Sequence, residues 1–251
     1  MILEILISTI DAGIDKIKAH LLPVRPDVRY LISWQYTGSR PEVPDWIRER
    51  TDVTLVQLAG RGLCRNRNHA LNHAVGDILK ISDDDECWEN YMFDSILEVY
   101  DQHPEYDIVH FQIEGIGKTY PSSWVSSCEI TMRRSSLGTL RFDERFGLGS
   151  EYLMGGEEDV FMHDARLRGL NVQYLPYVVC HITGTTTGHQ YWNPRLMRSK
   201  GAVFYYTRGL GYALYKSARE SVGWMVRRRM NPFRTFYNMW CGINYVRSWQ
   251  Q

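Results

Sequence analysis

Short runs of apolar and β-branched residues alternate with amphipathic segments along the first hundred residues. The apolar runs predict strands over residues 2–8, 28–33, 53–58, 77–81 and 107–112. The amphipathic segments predict helices over residues 15–22, 63–74 and 91–100. Strands that alternate with helices are typical of a parallel, doubly wound α/β sheet. In such a sheet we expect a ligand outside the carboxyl ends of the strands.

The pattern is less regular after residue 112. The elements predicted there are a strand, a helix, a second strand and a Gly- and Thr-rich lid, at residues 129–133, 155–168, 172–180 and 183–190. Pro176 interrupts the second strand, which predicts an edge position or a bulge. The sequence beyond residue 194 predicts helices that carry basic and aromatic side chains.

Charge is distributed unevenly along the chain, although 29 Lys and Arg balance 29 Asp and Glu. Residues 195–251 hold eleven basic residues and one acid, Glu220, so that this segment carries +10 and residues 1–194 carry −10. Twelve aromatic residues follow from Phe204 onward among the basic ones. Three interpretations stay open: contact with a membrane surface, packing on the body or on another copy, and binding of nucleic acid. We expect the membrane surface and no nucleic acid partner.

Composition excludes several classes of protein. The chain has 251 residues, of which 44% are hydrophobic and 23% charged, so it is not disordered or fibrous. Its five cysteines lack metal-finger spacing, which argues against a disulfide scaffold. The N-terminal apolar run is short and contains Glu4, which predicts a strand rather than a signal peptide. We therefore expect a cytoplasmic protein.

Four consecutive acidic residues, Asp83 to Glu86, follow the strand predicted over residues 77–81. Like charges at this spacing raise one another's pKa, and a hard divalent cation removes that cost. The run therefore predicts a site for Mg²⁺ or Mn²⁺ that also holds a diphosphate. The alternative is a solvated acidic turn.

Three further motifs carry potential chemistry. Residues 155–159 (Gly-Gly-Glu-Glu-Asp) predict either a simple helix N-terminus or a general base. His181 follows a strand and either completes a metal site or is structural. Residues 62–68 place Arg65 and Arg67 at the start of a helix, where they bind phosphate or brace the acidic run.

In this order the motifs resemble those of the family 2 glycosyltransferases, which have the GT-A fold. The similarity covers about residues 2–190 and is carried by Gly62 to Leu71, Gly76 to Trp88 with its Asp83-Asp84-Asp85 motif, Phe142 to Phe146, Gly156 to Asp159, and His181. One departure is that the second strand ends in Ser33-Trp34-Gln35, where the family usually has an acidic residue for the uracil.

The resemblance implies a Rossmann-like, mostly parallel α/β sheet flanked by helices, with a GT-A domain at 1–194, divided into a nucleotide-sugar-binding half at 1–110 and an acceptor half at 111–194. Residues 195–251 would form a helical basic and aromatic extension. The resemblance also implies that the donor is a nucleotide sugar, first of all a UDP-sugar, and that the transfer to a glycan acceptor inverts the configuration. Such an acceptor is expected to be lipid-linked in cell-surface polysaccharide synthesis, at the inner face of the cell membrane.

Roles at the site follow from the same resemblance. Asp85 and His181 would bind Mn²⁺ or Mg²⁺, and Asp159 or Glu158 would be the general base. The residues that would bind the nucleotide sugar are Thr9, Asp11, Arg67, Asp83 and Asp84. The acids alone leave two other functions open, a two-metal phosphoryl-transfer enzyme and a non-catalytic nucleotide-sugar-binding protein.

Overall fold

The structure is a computed structural model that describes residues 1–115, 124–182 and 192–250, without the side chain of Gln250. The lid predicted over residues 183–190 lies outside these described residues. The helices are α1 Ile14–Ile17, α2 Asp45–Arg48, α3 Leu63–His73, α4 Asn90–Gln102, α5 Arg134–Leu137, α6 Glu157–Leu167, α7 Pro194–Arg228 and α8 Pro232–Arg247.

In the described parts of the chain, eight strands form one mixed sheet. They are β1 Leu3–Ile10, β2 Val28–Tyr36, β3 Val53–Ala59, β4 Ile78–Asp83, β5 Glu86–Cys87, β6 Ile108–Glu114, β7 Ile130–Arg133 and β8 Val172–Ile182. Their order in the sheet is β3-β2-β1-β4-β7-β6-β8-β5. The first four strands are mutually parallel, as are β6 and β8, whereas β7 and β5 pair antiparallel with their neighbours. The predicted mostly parallel α/β sheet flanked by helices is confirmed.

The central strands β1 and β4 are buried on both faces, which explains their nearly continuous apolar sequence. Glu4 interrupts β1, but its buried carboxylate accepts hydrogen bonds from the backbone N–H groups of Val75 and Gly76, at 2.7 and 2.8 Å. Pro176 lies where the register between β6 and β8 shifts, so the predicted bulge is confirmed. The sheet edge at the ends of β1, β2 and β4 then presents the loops that carry the candidate site.

The helix predicted over residues 15–22 is largely wrong, because α1 is a single turn. Tertiary hydrogen bonds take over the backbone at Leu22: its N–H donates to the Tyr30 hydroxyl at 3.3 Å, and its carbonyl accepts from Arg50 at 2.8 Å. These partners replace the intrahelical bonds that a longer helix would need.

The chain forms two compact units. Unit 1 comprises residues 1–142 and 164–182 and contains the whole sheet, and unit 2 comprises residues 143–163 and those from 192 onward. In unit 2 the helices α7 and α8 pack together, and α7 contains a kink at Gly209, whose φ is 75°. The predicted helical extension is thus present, and the predicted domain boundary after residue 194 stays a prediction. Among the described helices, none has the length and apolar character that crossing a membrane requires.

Candidate active site

The acidic run forms a tight turn between β4, which ends at Asp83, and β5, which begins at Glu86. The Asp83 N–H donates to Glu86 Oε1 at 2.8 Å, closing the turn. Glu86 Oε2 lies 2.5 Å from the Nζ atom of Lys80, and both side chains are fully buried. A buried ion pair therefore holds the turn against the protein interior. Because Glu86 takes part in this pair, its carboxylate is not available to a ligand.

Asp83 is held from the side by helix α3. Arg67 donates to Asp83 Oδ1 at 3.0 Å and to the Ser127 hydroxyl at 2.7 Å. The Arg67 side chain is only 1% exposed, and its guanidinium lies over the Phe142 ring. Of the two interpretations of the arginines, bracing of the acidic run is the one that the geometry of Arg67 favours.

Asp84 connects the turn to the loop that follows β1. Its Oδ2 accepts a hydrogen bond from the Thr9 hydroxyl at 2.6 Å, and its Oδ1 lies 3.3 Å from Lys16 Nζ. A side chain at Gly13 would displace the Asp84 carboxylate and the Thr9 hydroxyl, so glycine there leaves room for their hydrogen bond. Thr9, near the end of β1, and Asp84 thus connect the end of that strand to the acidic turn.

Asp85 is the half-buried carboxylate at the centre of the turn. Burial raises the pKa of Asp85, and the neighbouring charges of Asp83, Asp84 and Glu86 raise it further. A cation beside this half-buried side chain would remove the cost of its ionisation. The predicted role of Asp85 as a ligand of a divalent ion stays a prediction.

His181 lies near the end of β8, opposite Cys87 of β5. Its Nδ1 is 2.7 Å from a Glu114 oxygen, and its Nε2 is 3.6 Å from a Glu89 oxygen. Because the two carboxylates lie at opposite ring nitrogens, they do not converge on one point. Within the described ranges, no three Asp, Glu, His or Cys side chains are placed to hold a metal ion together, so the metal role of His181 stays a prediction.

A pocket of about 400 Å³ opens between the loop after β1 and the loop after β2. Its lining combines aromatic, acidic and small residues: Asp11, Ala12, Ile14, Asp15, Trp34, Tyr36, Gly38, Ser39, Pro41, Glu42 and Pro44. Aromatic rings and carboxylates in one lining are suited to a planar ring that carries hydrogen-bond donors.

Asp11 occupies a strained position in this pocket, with a φ of 47°. Its carboxylate accepts from the Thr37 N–H at 2.9 Å, and its carbonyl accepts from the Trp34 indole at 2.8 Å. These bonds hold the left-handed conformation and place a carboxylate from β1's loop beside β2. The acid that the family usually has at the end of β2 is absent, and Asp11 lies close to that strand end.

The second acidic motif lies in unit 2, where α6 begins at Glu157. Gly156 has a φ of 88°, and a side chain there would clash with Val203. Burial lowers the pKa of Lys200, whereas the charges of Glu220 and Asp159 oppose this effect, so Asp159 lies within electrostatic range of Lys200. Glu158 and Asp159 both occupy the first turn of α6, and that they meet the acidic turn in one cleft stays a prediction.

Sequence reasoning missed two parts of the site. The Lys80–Glu86 pair was hidden because Glu86 appeared as one more member of an acidic run. A lysine within an otherwise apolar buried strand was the available signal, since a buried lysine requires an acidic partner. The pocket was missed because Trp34 and Tyr36 extend β2 beyond its predicted end.

Comparison with known proteins agrees with this arrangement. The model of the family "Glycosyl transferase family 2" matches residues 37–161, about half of the chain. No curated protein matches. Among solved structures, S. aureus TarS 1–349 in complex with UDP-GlcNAc superposes with a TM-score of 0.61 at 13% identity, covering 95% of this chain and 79% of that one.

Two other structures have the same fold. The mannosyltransferase PcManGT from Pyrobaculum calidifontis, in complex with GDP-Man and Mn²⁺, gives a TM-score of 0.57 at 17% identity, covering 98% of this chain and 71% of that one. A longer S. aureus TarS structure gives 0.56 at 14% identity and covers 91% of this chain, which spans only 44% of that protein. At these identities the structures show the fold alone. The fold is similar to GT-A, the resemblance carried by the ordered motifs is confirmed, and the chain belongs to the family 2 glycosyltransferases.

Proposed function

We propose that the protein is a metal-dependent, inverting glycosyltransferase that moves a sugar from a nucleotide sugar to a glycan acceptor. The observation that carries the proposal is the half-buried Asp85 in the turn after β4, joined through Thr9 and Asp84 to the loop that lines the aromatic pocket. This arrangement suits a diphosphate at the turn and a nucleobase in the pocket. Since TarS and PcManGT were solved with UDP-GlcNAc and GDP-Man, nucleotide sugars are the donors to test, a UDP-sugar first.

Asp85 would hold Mn²⁺ or Mg²⁺, with His181 as a second ligand by family resemblance. Magnesium commonly takes one or two carboxylates and completes its shell with water and substrate phosphates, so a small set of protein ligands fits this ion. When bound, the cation neutralises negative charge on the departing diphosphate. The raised pKa of Asp85 supports this assignment independently of the resemblance.

The residues around Asp85 would each contact or position a different part of the donor. Asp83, braced by Arg67, would contact the ribose or the metal. Asp84 and Thr9 would hold the loop against the turn, and Asp11 would accept a hydrogen bond from the nucleobase. Each of these roles uses a side chain whose position a second protein group fixes, which favours pre-organised binding.

The general base would be Asp159, with Glu158 as the alternative. Its carboxylate oxygen would take the proton of the acceptor hydroxyl as that oxygen attacks the anomeric carbon from the side opposite the diphosphate. A single displacement of this kind inverts the configuration. Asp159→Asn should therefore abolish turnover and leave donor binding within about twofold, whereas loss of donor binding would contradict the assignment.

The acceptor and the cellular role belong to the same proposal. A glycan acceptor, lipid-linked in cell-surface polysaccharide synthesis, would bring the enzyme to the inner face of the cell membrane. The excess of basic and aromatic residues after residue 194 supports this placement.

The test is a panel of UDP- and GDP-sugars assayed for donor hydrolysis and transfer, with Mn²⁺ and with a chelator. We expect metal-dependent release of UDP or GDP, and loss of at least a hundredfold in rate for Asp85→Ala. The matched control is Asp101→Asn, an exposed acid on α4. Undiminished rates in Asp85→Ala would refute the metal assignment, and cleavage between the phosphates without sugar release would identify a phosphoryl-transfer enzyme.

A further inference from the structure

One face of helix α7 exposes large apolar side chains after the kink at Gly209. We call this face the outer stripe, and it consists of Tyr212, Tyr215, Arg219, Val222 and Val226. Val226 is 72% exposed, and Tyr215 and Val222 are more than half exposed. Transfer of apolar side chains of this size from water to an apolar environment is favourable.

The outer stripe is one face of the helix by its spacing. Its members follow one another at steps of three and four residues, the repeat of a single helical face. Buried Ala213, Ser217 and Ser221 recur every four residues on the other side. At 100° per residue the two sets point in opposite directions, so the outer stripe faces away from the packed side of α7.

The stripe continues into the turn between α7 and α8. Arg227, Arg228 and Arg229 end the helix, and Arg229 has left-handed backbone geometry with a φ of 55°. The first turn of helix α8 contains Phe233, which is 84% exposed, and Tyr237 lies one turn later at 63%. The end of this helical hairpin therefore combines exposed apolar groups with three consecutive arginines.

The charge of this surface is predominantly positive. Residues 208–237 contain seven basic residues, Arg208, Lys216, Arg219, Arg227, Arg228, Arg229 and Arg234. Their single acid, Glu220, lies 3.3 Å from Lys216 and 3.7 Å from Arg227. The surface thus presents a net positive charge around an apolar centre.

We propose that the outer stripe and the hairpin end (residues 212–237) form a docking surface for an anionic lipid bilayer. The charge argues against a second copy of the chain, since a symmetric contact would bring two clusters of arginine together. The exposed valines and phenylalanine argue against nucleic acid, whose backbone offers them no apolar contact. A bilayer interface offers both anionic headgroups and an apolar layer, and tyrosine rings suit the boundary between them.

This inference specifies the surface behind the membrane placement in the proposed function, and it is independent of the proposed reaction. Vesicle binding tests the docking surface alone, and donor turnover in solution tests the active site alone. Either proposal can therefore be refuted while the other stands. Binding would place the enzyme beside lipid-bearing substrates.

The experiment is co-sedimentation of the full chain with vesicles of phosphatidylcholine alone and with 30 mol% phosphatidylglycerol. We expect binding to the anionic vesicles only, weakened by salt. Replacement of Arg227, Arg228 and Arg229 together by Gln should lower the partition coefficient on the order of a hundredfold, because each basic residue contributes about 1 kcal/mol at such a surface. Val226→Asn with Phe233→Ser should lower it at least tenfold at unchanged charge.

The matched controls lie in unit 1. Lys18, Arg29 and Arg48 are exposed there, and their joint replacement by Gln removes the same charge. Val75→Asn matches Val226→Asn at a site of 61% exposure. Equal binding to neutral and anionic vesicles, an equal effect of the control triple, tighter binding to single-stranded oligonucleotide, or a dimer that Val226→Asn with Phe233→Ser dissociates would each overturn the proposal. Circular dichroism and melting of each variant show whether it is folded.

Discussion

The ammonium group of Lys80 lies 2.5 Å from the carboxylate of Glu86 at a depth where neither side chain reaches solvent. Burial alone lowers the pKa of Lys80, but the Glu86 charge outweighs this and raises it above the ordinary value. The other Glu86 oxygen accepts the Asp83 N–H. One buried pair therefore determines where the backbone of the acidic turn lies.

Removing one partner of this pair should be costly. Lys80→Met leaves an uncompensated charge on Glu86, and we expect a loss of about 3–5 kcal/mol in the free energy of unfolding. Lys80→Met combined with Glu86→Leu removes both charges and should recover most of that loss. Urea denaturation of the two single variants and the double variant gives the coupling energy.

An exposed ion pair provides the control for that cycle. Arg48 and Asp45 lie 3.0 Å apart on α2 with both side chains well exposed. Arg48→Met should cost no more than about 1 kcal/mol. If Lys80→Met costs as little as Arg48→Met, the buried pair does not anchor the turn.

Asp85 should make the protein less stable at neutral pH when no metal is present. Its pKa in the folded state is raised by burial and by the adjacent acids, so the folded state binds a proton more tightly than the unfolded chain does. This contribution to stability is complete below about pH 4, the ordinary pKa of aspartate, and is lost as pH rises through the folded value. Asp85→Asn cannot ionise and should therefore be more stable than wild type at pH 7.

The measurement is the urea midpoint from pH 4 to pH 8 in the presence of a chelator. The advantage of Asp85→Asn should shrink toward pH 4, where the wild-type carboxyl is also neutral. Asp101→Asn removes an exposed charge and should show no such trend. A variant that is less stable than wild type throughout would show that the Asp85 charge is already well stabilised by the protein.

Tyr36 lines the pocket between the loops after β1 and β2, where a nucleobase would lie in the proposed function. Stacking of a base on an aromatic ring contributes about 1–3 kcal/mol, so Tyr36→Ala should weaken UDP binding roughly five- to 150-fold. Calorimetry with UDP and GDP in the presence of Mn²⁺ measures this change. Tyr91→Ala, at an exposed tyrosine on α4, is the control. Unchanged affinity for both nucleotides would place the base elsewhere.

The sequence predicted the structure best where one type of interaction, such as burial of both faces of a strand, determines the local conformation. The apolar runs of β1 and β4 predicted the sheet because both faces of these strands are buried, and the position of the acidic run at the carboxyl end of β4 followed from the same reasoning. The sequence pattern did not separate Glu86, which is buried and pairs with Lys80, from the half-buried Asp85, whose metal role stays a prediction. Both are acidic residues in one run, and their surroundings in the fold distinguish them. The same holds for α1, where hydrogen bonds to Leu22 from distant residues overrode local preference.

Two glycines permit the closest approach of α7 and α8. A side chain at Gly201 would clash with the Met239 carbonyl, and one at Gly242 would clash with the Arg198 carbonyl. Because these obstacles are backbone atoms, the helices themselves must separate to admit a methyl group. Gly201→Ala and Gly242→Ala should each lower the free energy of unfolding by about 1–3 kcal/mol.

Gly211 is the matched control, because it lies in the same helix α7 and a side chain there would meet nothing within 4 Å. Gly211→Ala should leave stability unchanged or raise it by up to about 1 kcal/mol, since alanine favours the helix. Thermal melts of the three variants decide the matter. If all three substitutions change stability alike, helix propensity rather than the close crossing of the helices governs these positions. If Gly201→Ala lowers stability and Gly211→Ala raises it, the crossing of α7 and α8 depends on the absence of a side chain at Gly201.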